Sequence, residues 1–147
     1  MVRRVVTEIV DGRSRVRSDG PASSGWCEEL WVTTPELPLG TDPASVEESL
    51  EPPPGSTRWR LVSLPPDAIM RAALAERKTA GVDARGFHAT RTVDYVYILD
   101  GPVELELDDG SVMLQPGDCV VQRGTKHAWR NHGESAVRLL CVMVATP

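Results

Sequence analysis

Cysteine is scarce in this 147-residue sequence, and its spacing excludes one class of site. The three cysteines, Cys27, Cys119 and Cys141, are odd in number and lack the close paired spacing of a structural zinc site. Free cysteine is among the most buried residue types. We therefore expect each of the three to be a reduced core residue.

Positive charge and long apolar runs are also in short supply. The chain has 16 Lys and Arg against 21 Asp and Glu, a formal net charge of −5, and no basic run longer than a dipeptide. Nucleic-acid binding needs a basic stripe to neutralise phosphates, so nucleic acid is not an expected partner. No stretch approaches the roughly 20 apolar residues of a membrane span, and Glu8 and Asp11 stand where a signal-peptide core would be. We expect a cytoplasmic protein with no membrane partner.

The length and composition of the chain are those of one folded domain. The length is enough to bury one core and too short for two conventional domains, and the hydrophobic share of 41% is ordinary for a globular protein. We predict a single domain over residues 1–147. Its parts are N-terminal strands with a Pro-rich flap over 1–66, a short helix over 67–80 and a barrel core over 86–145.

The sequence of the N-terminal half predicts strands at residues 2–10, 27–33 and 57–64, separated by irregular, Pro-rich segments. The five prolines and two glycines of the segment 36–56 predict a surface loop or flap, long enough to cover the mouth of a barrel. Asp67 is the expected N-cap of the helix, and Gly81 lies where that helix should stop.

The C-terminal half has the period-two pattern of strands. Val103, Leu105 and Leu107 alternate with acidic residues, and Asp109-Gly110 then predicts a hairpin turn. Further strands are expected at 111–115, 118–122, 127–130 and 136–145. Short strands at about ten-residue spacing indicate an all-β sandwich or barrel.

Polar residues on one inward strand face form the candidate site. In an extended strand, one face would carry every second residue from 88 to 98, and its apolar members Val96 and Ile98 indicate that it points inward. His88 and Asp94 on that face are costly to bury unless a metal ion or another side chain pairs them. With His127 they would form a two-histidine, one-carboxylate set, which suits Fe(II) and also Mn, Ni, Co or Zn.

These residues belong to two motifs that resemble those of the cupin superfamily. The first motif reads Gly86, His88, Thr90, Asp94 and Gly101. The second runs from Gly117-Asp118 through Gly124 and His127 to Asn131. Two positions depart from the family pattern: Thr90 stands for a second histidine, and Asp94 for the usual glutamate. The form HxTxTxDY is similar to a branch of small stand-alone cupins found near natural-product and catabolic genes.

The resemblance implies a double-stranded β-helix, or jelly-roll barrel, with an N-terminal strand extension and one short helix. It implies a divalent metal held by His88, Asp94 and His127, with catalytic roles for Asp94, His127 and Thr90. Arg60, Tyr97 and Trp129 are the predicted substrate-binding residues. Because an exposed strand edge tends to pair, we also predict a homodimer.

Cupins have many activities, so three hypotheses for function stay open at this point. The favoured one is a metal-dependent lyase or isomerase, such as a dehydratase, decarboxylase or cyclase, acting on a carbonyl- or carboxylate-bearing metabolite. The second is an Fe(II) dioxygenase. The third is a non-catalytic cupin that binds a small molecule.

Overall fold

The computed structural model describes residues 2–22, 27–45 and 49–147. The elements follow in chain order, with a short 3₁₀ turn at Pro43–Ser45: β1 Arg3–Val10, β2 Arg13–Pro21, β3 Cys27–Thr34, β4 Leu37–Thr41, β5 Thr57–Leu64, α1 Asp67–Glu76, β6 Thr92–Ile98, β7 Val103–Leu107, β8 Gly110–Leu114, β9 Cys119–Arg123, β10 His127–Arg130 and β11 Val137–Ala145.

The strands of the described residues form three antiparallel sheets. The largest has the order β4-β3-β5-β11-β6-β9, a second has the order β10-β7-β8, and β1 and β2 form a separate hairpin. The hydrophobic core combines residues of the two larger sheets, with Ile98 and Leu139 from one and Val103 and Leu105 from the other. The two sheets therefore pack face to face, and the predicted all-β jelly-roll architecture with one α-helix is confirmed.

Strand β6 has the predicted alternation. Thr92, Asp94, Val96 and Ile98 are buried, whereas Tyr95 and Tyr97 between them are exposed. Because successive side chains of a strand point to opposite faces, the barrel interior receives two polar residues followed by two apolar ones.

Two strands were missed by the sequence analysis. β2 is almost wholly exposed and mostly polar, so it lacks the hydrophobic alternation that marks a strand; its partner is β1. β4 and the 3₁₀ turn lie within the segment 36–56 that was expected to be a loop, and β4 forms by pairing with β3. The part of that predicted flap at residues 46–48 lies outside the described residues.

The helix ends earlier than expected and is capped differently. It stops at Glu76 instead of continuing to residue 80, and Gly81 follows with φ +81. Asp67 is its first residue and not its N-cap. The Asp67 carboxylate instead accepts a hydrogen bond of 2.8 Å from the backbone N–H of Asn131, which ties the helix to the loop after β10.

The expectation for the cysteines is confirmed only for Cys141, which is buried. Cys27 is half-buried and Cys119 is exposed at the beginning of the edge strand β9. Among the described residues, no helix has the length and apolarity needed to cross a membrane.

Candidate functional site

The two motif histidines lie against each other. Their backbones form a pair of reciprocal hydrogen bonds, each of 3.0 Å, between the segment before β6 and the beginning of β10. The centroids of the His88 and His127 rings are 4.4 Å apart with the rings tilted by 56°. Residues 39 positions apart in sequence are thus neighbours, as the two motifs predict.

Backbone carbonyls fix the tautomer of both rings. The Nδ1 atom of His88 lies 3.1 Å from the carbonyl oxygen of Gly86, and the Nδ1 atom of His127 lies 2.8 Å from that of Thr125. A carbonyl oxygen only accepts, so each Nδ1 carries the proton and donates it. In the neutral form of each ring, Nε2 keeps its lone pair for a ligand or a metal ion.

His127 is neutral at physiological pH. Burial lowers the pKa of His127 to about 4; the hydrogen bond to Thr125 acts in the opposite direction, and the nearby His88 adds to the lowering. A group with this pKa is poorly matched to accept protons near pH 7. Its Nε2 is better suited to accept a hydrogen bond or to coordinate a metal.

Three inward side chains form what we call the Thr-Thr-Asp row: Thr90, Thr92 and Asp94. Thr92 Oγ1 donates a 2.6 Å hydrogen bond to Asp94 Oδ1, and the hydroxyls of Thr90 and Thr92 are also 2.6 Å apart. Since the Thr92 proton is directed at Asp94, Thr90 must be the donor to Thr92. All three residues are buried.

The pKa of the Asp94 carboxyl is raised above its usual value. Burial raises the pKa of the Asp94 carboxyl, while the Thr92 hydroxyl and the nearby His88 and Arg60 lower it. A buried carboxyl with such opposing influences is a candidate for proton transfer.

Gln122 is a member of this site that the sequence analysis missed. It is 3% exposed and lies beside Asp94 in the register of β6 and β9. Its Nε2 is directed at Thr125, and its Oε1 is buried with no hydrogen-bond partner among the described residues. The alternation of β9 could have indicated an inward Gln122, but not its position next to Asp94.

Two arginines of β5 extend the polar interior. Arg60, a predicted substrate-binding residue, donates to Glu29 Oε1 at 2.6 Å and to the Leu50 carbonyl at 2.7 Å, and it also bonds the Ser49 carbonyl. Its donors thus hold flap residues 49–50 onto the barrel. Arg58, which was not predicted, is only 3% exposed and lies opposite Met143, which in turn lies opposite Asp94.

The predicted aromatic residues lie on opposite sides of the barrel wall. Trp129 packs against the core, and its ring makes an edge contact with His127, with the centroids 6.0 Å apart. Tyr97 is 43% exposed on the outer face of β6. Trp129 is therefore placed to shape the interior, and Tyr97 is not among the residues that line it.

Two of the three predicted metal ligands, His88 and His127, are oriented as a metal site would require. The Nε2 atoms of His88 and His127 are suitable donors, since their rings are oriented as metal-binding imidazoles usually are. Within the described ranges, however, no three His, Cys, Asp or Glu side chains are grouped so as to hold a metal ion. The full set of His88, Asp94 and His127 is not assembled, and one Asp94 oxygen is engaged by Thr92.

A cavity of about 440 Å³ lies apart from the histidines. Its lining comes from β3, β5, the flap and the loop before β6, and the residues are Val32, Thr34, Ser49, Glu51, Pro52, Pro53, Pro54, Ser56, Arg58 and Arg91. Arg58 lines this cavity and is also one of the two buried arginines of β5.

Comparison with known proteins identifies the family. Residues 79–143 match the family model described as Cupin_2: Cupin domain. In solved structures, the Schizosaccharomyces pombe Cnp3 cupin domain has a similar fold, with a TM-score of 0.52 and 12% identity over 97% of this chain and 87% of that one. Residues 79–143 therefore belong to a cupin domain, and the described residues have a cupin fold.

Two curated relatives share more sequence. Phomopsin biosynthesis cluster protein C' of Diaporthe leptostromiformis is 36% identical over 107 residues, which is 71% of this chain and 51% of the relative. Oryzines biosynthesis cluster protein J of Aspergillus oryzae is 46% identical over 46 residues, which is 31% of this chain and 26% of the relative. This chain thus spans about half the length of the phomopsin relative and about a quarter of the oryzine relative.

Proposed function

We propose that this cupin is an enzyme of natural-product metabolism that catalyses a non-redox proton transfer on a carbonyl- or carboxylate-bearing metabolite. Dehydration, decarboxylation, isomerisation and cyclisation are the reactions of this kind. The names of the phomopsin and oryzine relatives support the metabolic setting. The buried Thr-Thr-Asp row, which faces the barrel interior near the imidazoles of His88 and His127, is the observation that carries the proposal.

Asp94 is the proposed acid–base group. In isomerisation and cyclisation its carboxylate takes a proton from the carbon next to a carbonyl and returns it to another atom of the product. In dehydration the proton goes to the departing hydroxyl group, which leaves as water. In decarboxylation the C–C bond breaks, CO₂ leaves, and the Asp94 carboxyl gives its proton to the resulting carbanion and is reprotonated by solvent. Thr92 fixes the orientation of the carboxylate, and Thr90 in turn fixes Thr92. Neutral His127 would accept a hydrogen bond at Nε2 from a donor group of the substrate, and the Trp129 ring packs against the His127 ring.

Deuterium exchange tests this proposal without knowledge of the complete reaction. The protein is incubated in D₂O with a panel of 2-oxo and 3-oxo carboxylic acids, and incorporation next to the carbonyl is followed by mass spectrometry. We expect faster exchange than in buffer alone for at least one compound and loss of that rate in Asp94→Asn. Asp109→Asn, in the turn between β7 and β8, is the control. Exchange at the buffer rate throughout the panel would contradict the proposal.

A metal-dependent form of this function is the second candidate, favoured by the orientation of the two imidazoles. His88 and His127 would hold the ion, and Asp94 is the predicted third ligand. A divalent metal supplies Lewis acidity that polarises a carbonyl.

Elemental analysis of the protein purified without a His tag tests the metal. Near-stoichiometric Fe, Mn, Ni, Co or Zn that is lost in His127→Ala and kept in the exposed control His132→Ala would support this candidate. Iron together with substrate-dependent O₂ uptake would favour a dioxygenase. No metal in the wild type would contradict metal dependence, and ligand binding without proton exchange would favour a non-catalytic binding cupin.

A further inference from the structure

The two ends of the buried Gln122 amide have different surroundings. Its Nε2 atom contacts Thr125 twice, at the carbonyl oxygen, 3.3 Å away, and at the side-chain hydroxyl. Because a carbonyl oxygen only accepts, the amide nitrogen must be the end that faces the turn before β10. The other end, Oε1, is buried and has no hydrogen-bond partner in the part of the chain that the structure describes.

The unpartnered oxygen belongs to the same side of the sheet as Asp94. Gln122 lies directly opposite Asp94 in the pairing of β6 with β9, and it is the buried residue of β9. The Cβ atoms of directly opposite residues in an antiparallel pair are about 4.5–5.5 Å apart, and their side chains share one face. The Gln122 amide is therefore a neighbour of the Thr-Thr-Asp row.

The Thr-Thr-Asp row supplies no donor to this oxygen. The proton of Thr92 is directed at Asp94, and that of Thr90 is directed at Thr92. The Nδ1 proton of His127 is bound by the Thr125 carbonyl. A buried carbonyl oxygen without a donor is costly, and a bound molecule with an O–H or N–H group would remove that cost.

We propose that Gln122 Oε1 accepts a hydrogen bond from the substrate, so that the substrate is a small carbonyl or carboxylate compound with an O–H or N–H group beside the carbon at which Asp94 acts. This inference rests on the proposed function, because it takes the Thr-Thr-Asp row to be the place where the substrate binds. It adds Gln122 as a residue that determines specificity. A compound with a methyl group in place of the donor leaves the oxygen unpaired and binds less tightly.

Three carboxylates of the same shape test the inference. Lactate, alanine and isobutyrate carry a hydroxyl, an ammonium and a methyl group, respectively, on the same carbon. Binding of both enantiomers of lactate and alanine, and of isobutyrate, is followed by two-dimensional ¹H–¹⁵N NMR. The side-chain amide signals of Gln122, assigned by their absence in Gln122→Met, report contact at the site. We expect lactate or alanine to shift these signals and to bind about 10-fold more tightly than isobutyrate. Tighter binding of lactate would identify a hydroxyl group, and tighter binding of alanine an N–H group.

Variants show whether the amide oxygen is responsible. Gln122→Met fills a similar space without the oxygen, and it should bind the preferred compound and isobutyrate equally. Thr125→Val is the matched control, since it removes the hydroxyl contact of Nε2 and keeps Oε1, so the preference should remain. Circular dichroism must show that both variants are folded, and the wild-type comparison stands without them. Isobutyrate binding as tightly as lactate and alanine, no binding of either donor compound, unshifted Gln122 signals, or a preference retained in folded Gln122→Met would overturn the inference.

The deuterium-exchange assay separates this inference from the proposed function. A preference for the donor compound without exchange of any oxo acid would support the ligand class and contradict the proton transfer. Exchange without such a preference would overturn the ligand class and leave the proton transfer supported.

Discussion

Replacing Thr92 by valine should destabilise the protein in a way that depends on pH. The substitution keeps the shape of the side chain and removes the hydroxyl that donates to Asp94 and accepts from Thr90. Thr92 is 2% exposed, so water cannot readily replace these bonds. A hydrogen bond to a charged group contributes about 2 kcal/mol to the free energy of unfolding and a neutral one about 1 kcal/mol, so we expect a loss of about 3 kcal/mol where Asp94 is charged.

The loss should shrink as the pH falls. The Thr92 hydroxyl stabilises the charged form of Asp94 and lowers its pKa, so that pKa is higher in the variant. Above both folded-state pKa values the full difference is present. Once the carboxyl is protonated in both proteins, both lost hydrogen bonds are neutral, and the difference falls to about 2 kcal/mol. The unfolded-state pKa of Asp94 is common to both proteins and cancels.

Urea unfolding followed by tryptophan fluorescence, repeated from about pH 8 down to the lowest pH at which both proteins stay folded, measures this difference. Thr57→Val is a matched control, since the Thr57 hydroxyl pairs with that of Thr33 at 2.6 Å and no carboxylate is involved in that contact. Its effect should not depend on pH. If Thr92→Val and Thr57→Val had the same pH dependence, the Thr-Thr-Asp row would not govern the charge of Asp94.

Three further predictions concern other parts of the molecule. The pKa of His127 is lowered from 6.5 to about 4, so the unfolded chain takes up a proton at this ring before the folded protein does. The free energy of unfolding should therefore fall as the pH decreases from about 6.5 to about 4, by on the order of 3 kcal/mol. His127→Gln should lack this contribution in the same pH series. Cys119 is exposed, whereas Cys141 is buried and burial raises its pKa to about 12. A thiol reagent should therefore modify Cys119 quickly and Cys141 only after unfolding. Equal rates of modification would contradict the exposed position of Cys119 and the buried position of Cys141. The predicted homodimer should use the β1–β2 hairpin, where Ile9 is 76% exposed and five arginines contrast with the chain's net charge of −5. Light scattering should show that the wild type is a dimer and that Ile9→Asp is a monomer. A monomeric wild type would refute this prediction.

The interior of β6 could be predicted because the signal is local. Buried and more exposed residues alternate with period two from residue 92 to residue 98, as strand geometry requires, and the apolar Val96 and Ile98 indicate which face is buried. The proximity of His88 and His127 was also predictable, but through the motif resemblance, since no local pattern brings residues 39 positions apart together. Both predictions are confirmed by the fold.

The remaining site residues depend on register between strands that are distant in sequence. Arg58 and Asp94 share a register position only because each pairs with Met143 of β11, and Gln122 lies beside Asp94 only through the pairing of β6 with β9. No single strand carries this information. The same reason explains β4, whose residues read as a loop and become a strand by pairing with β3.

The barrel interior is divided along its strands, and this division bears on function. Along β6 the inward residues change from Thr92 and Asp94 to Val96 and Ile98, and along β11 Cys141 and Leu139 continue the apolar half. The apolar half forms the packed core that stabilises the sheets. The polar half buries a carboxylate and two guanidinium groups at a cost that packing alone does not require, since apolar residues of similar size would fill the same space. This polar half is where the substrate of the proposed reaction would bind.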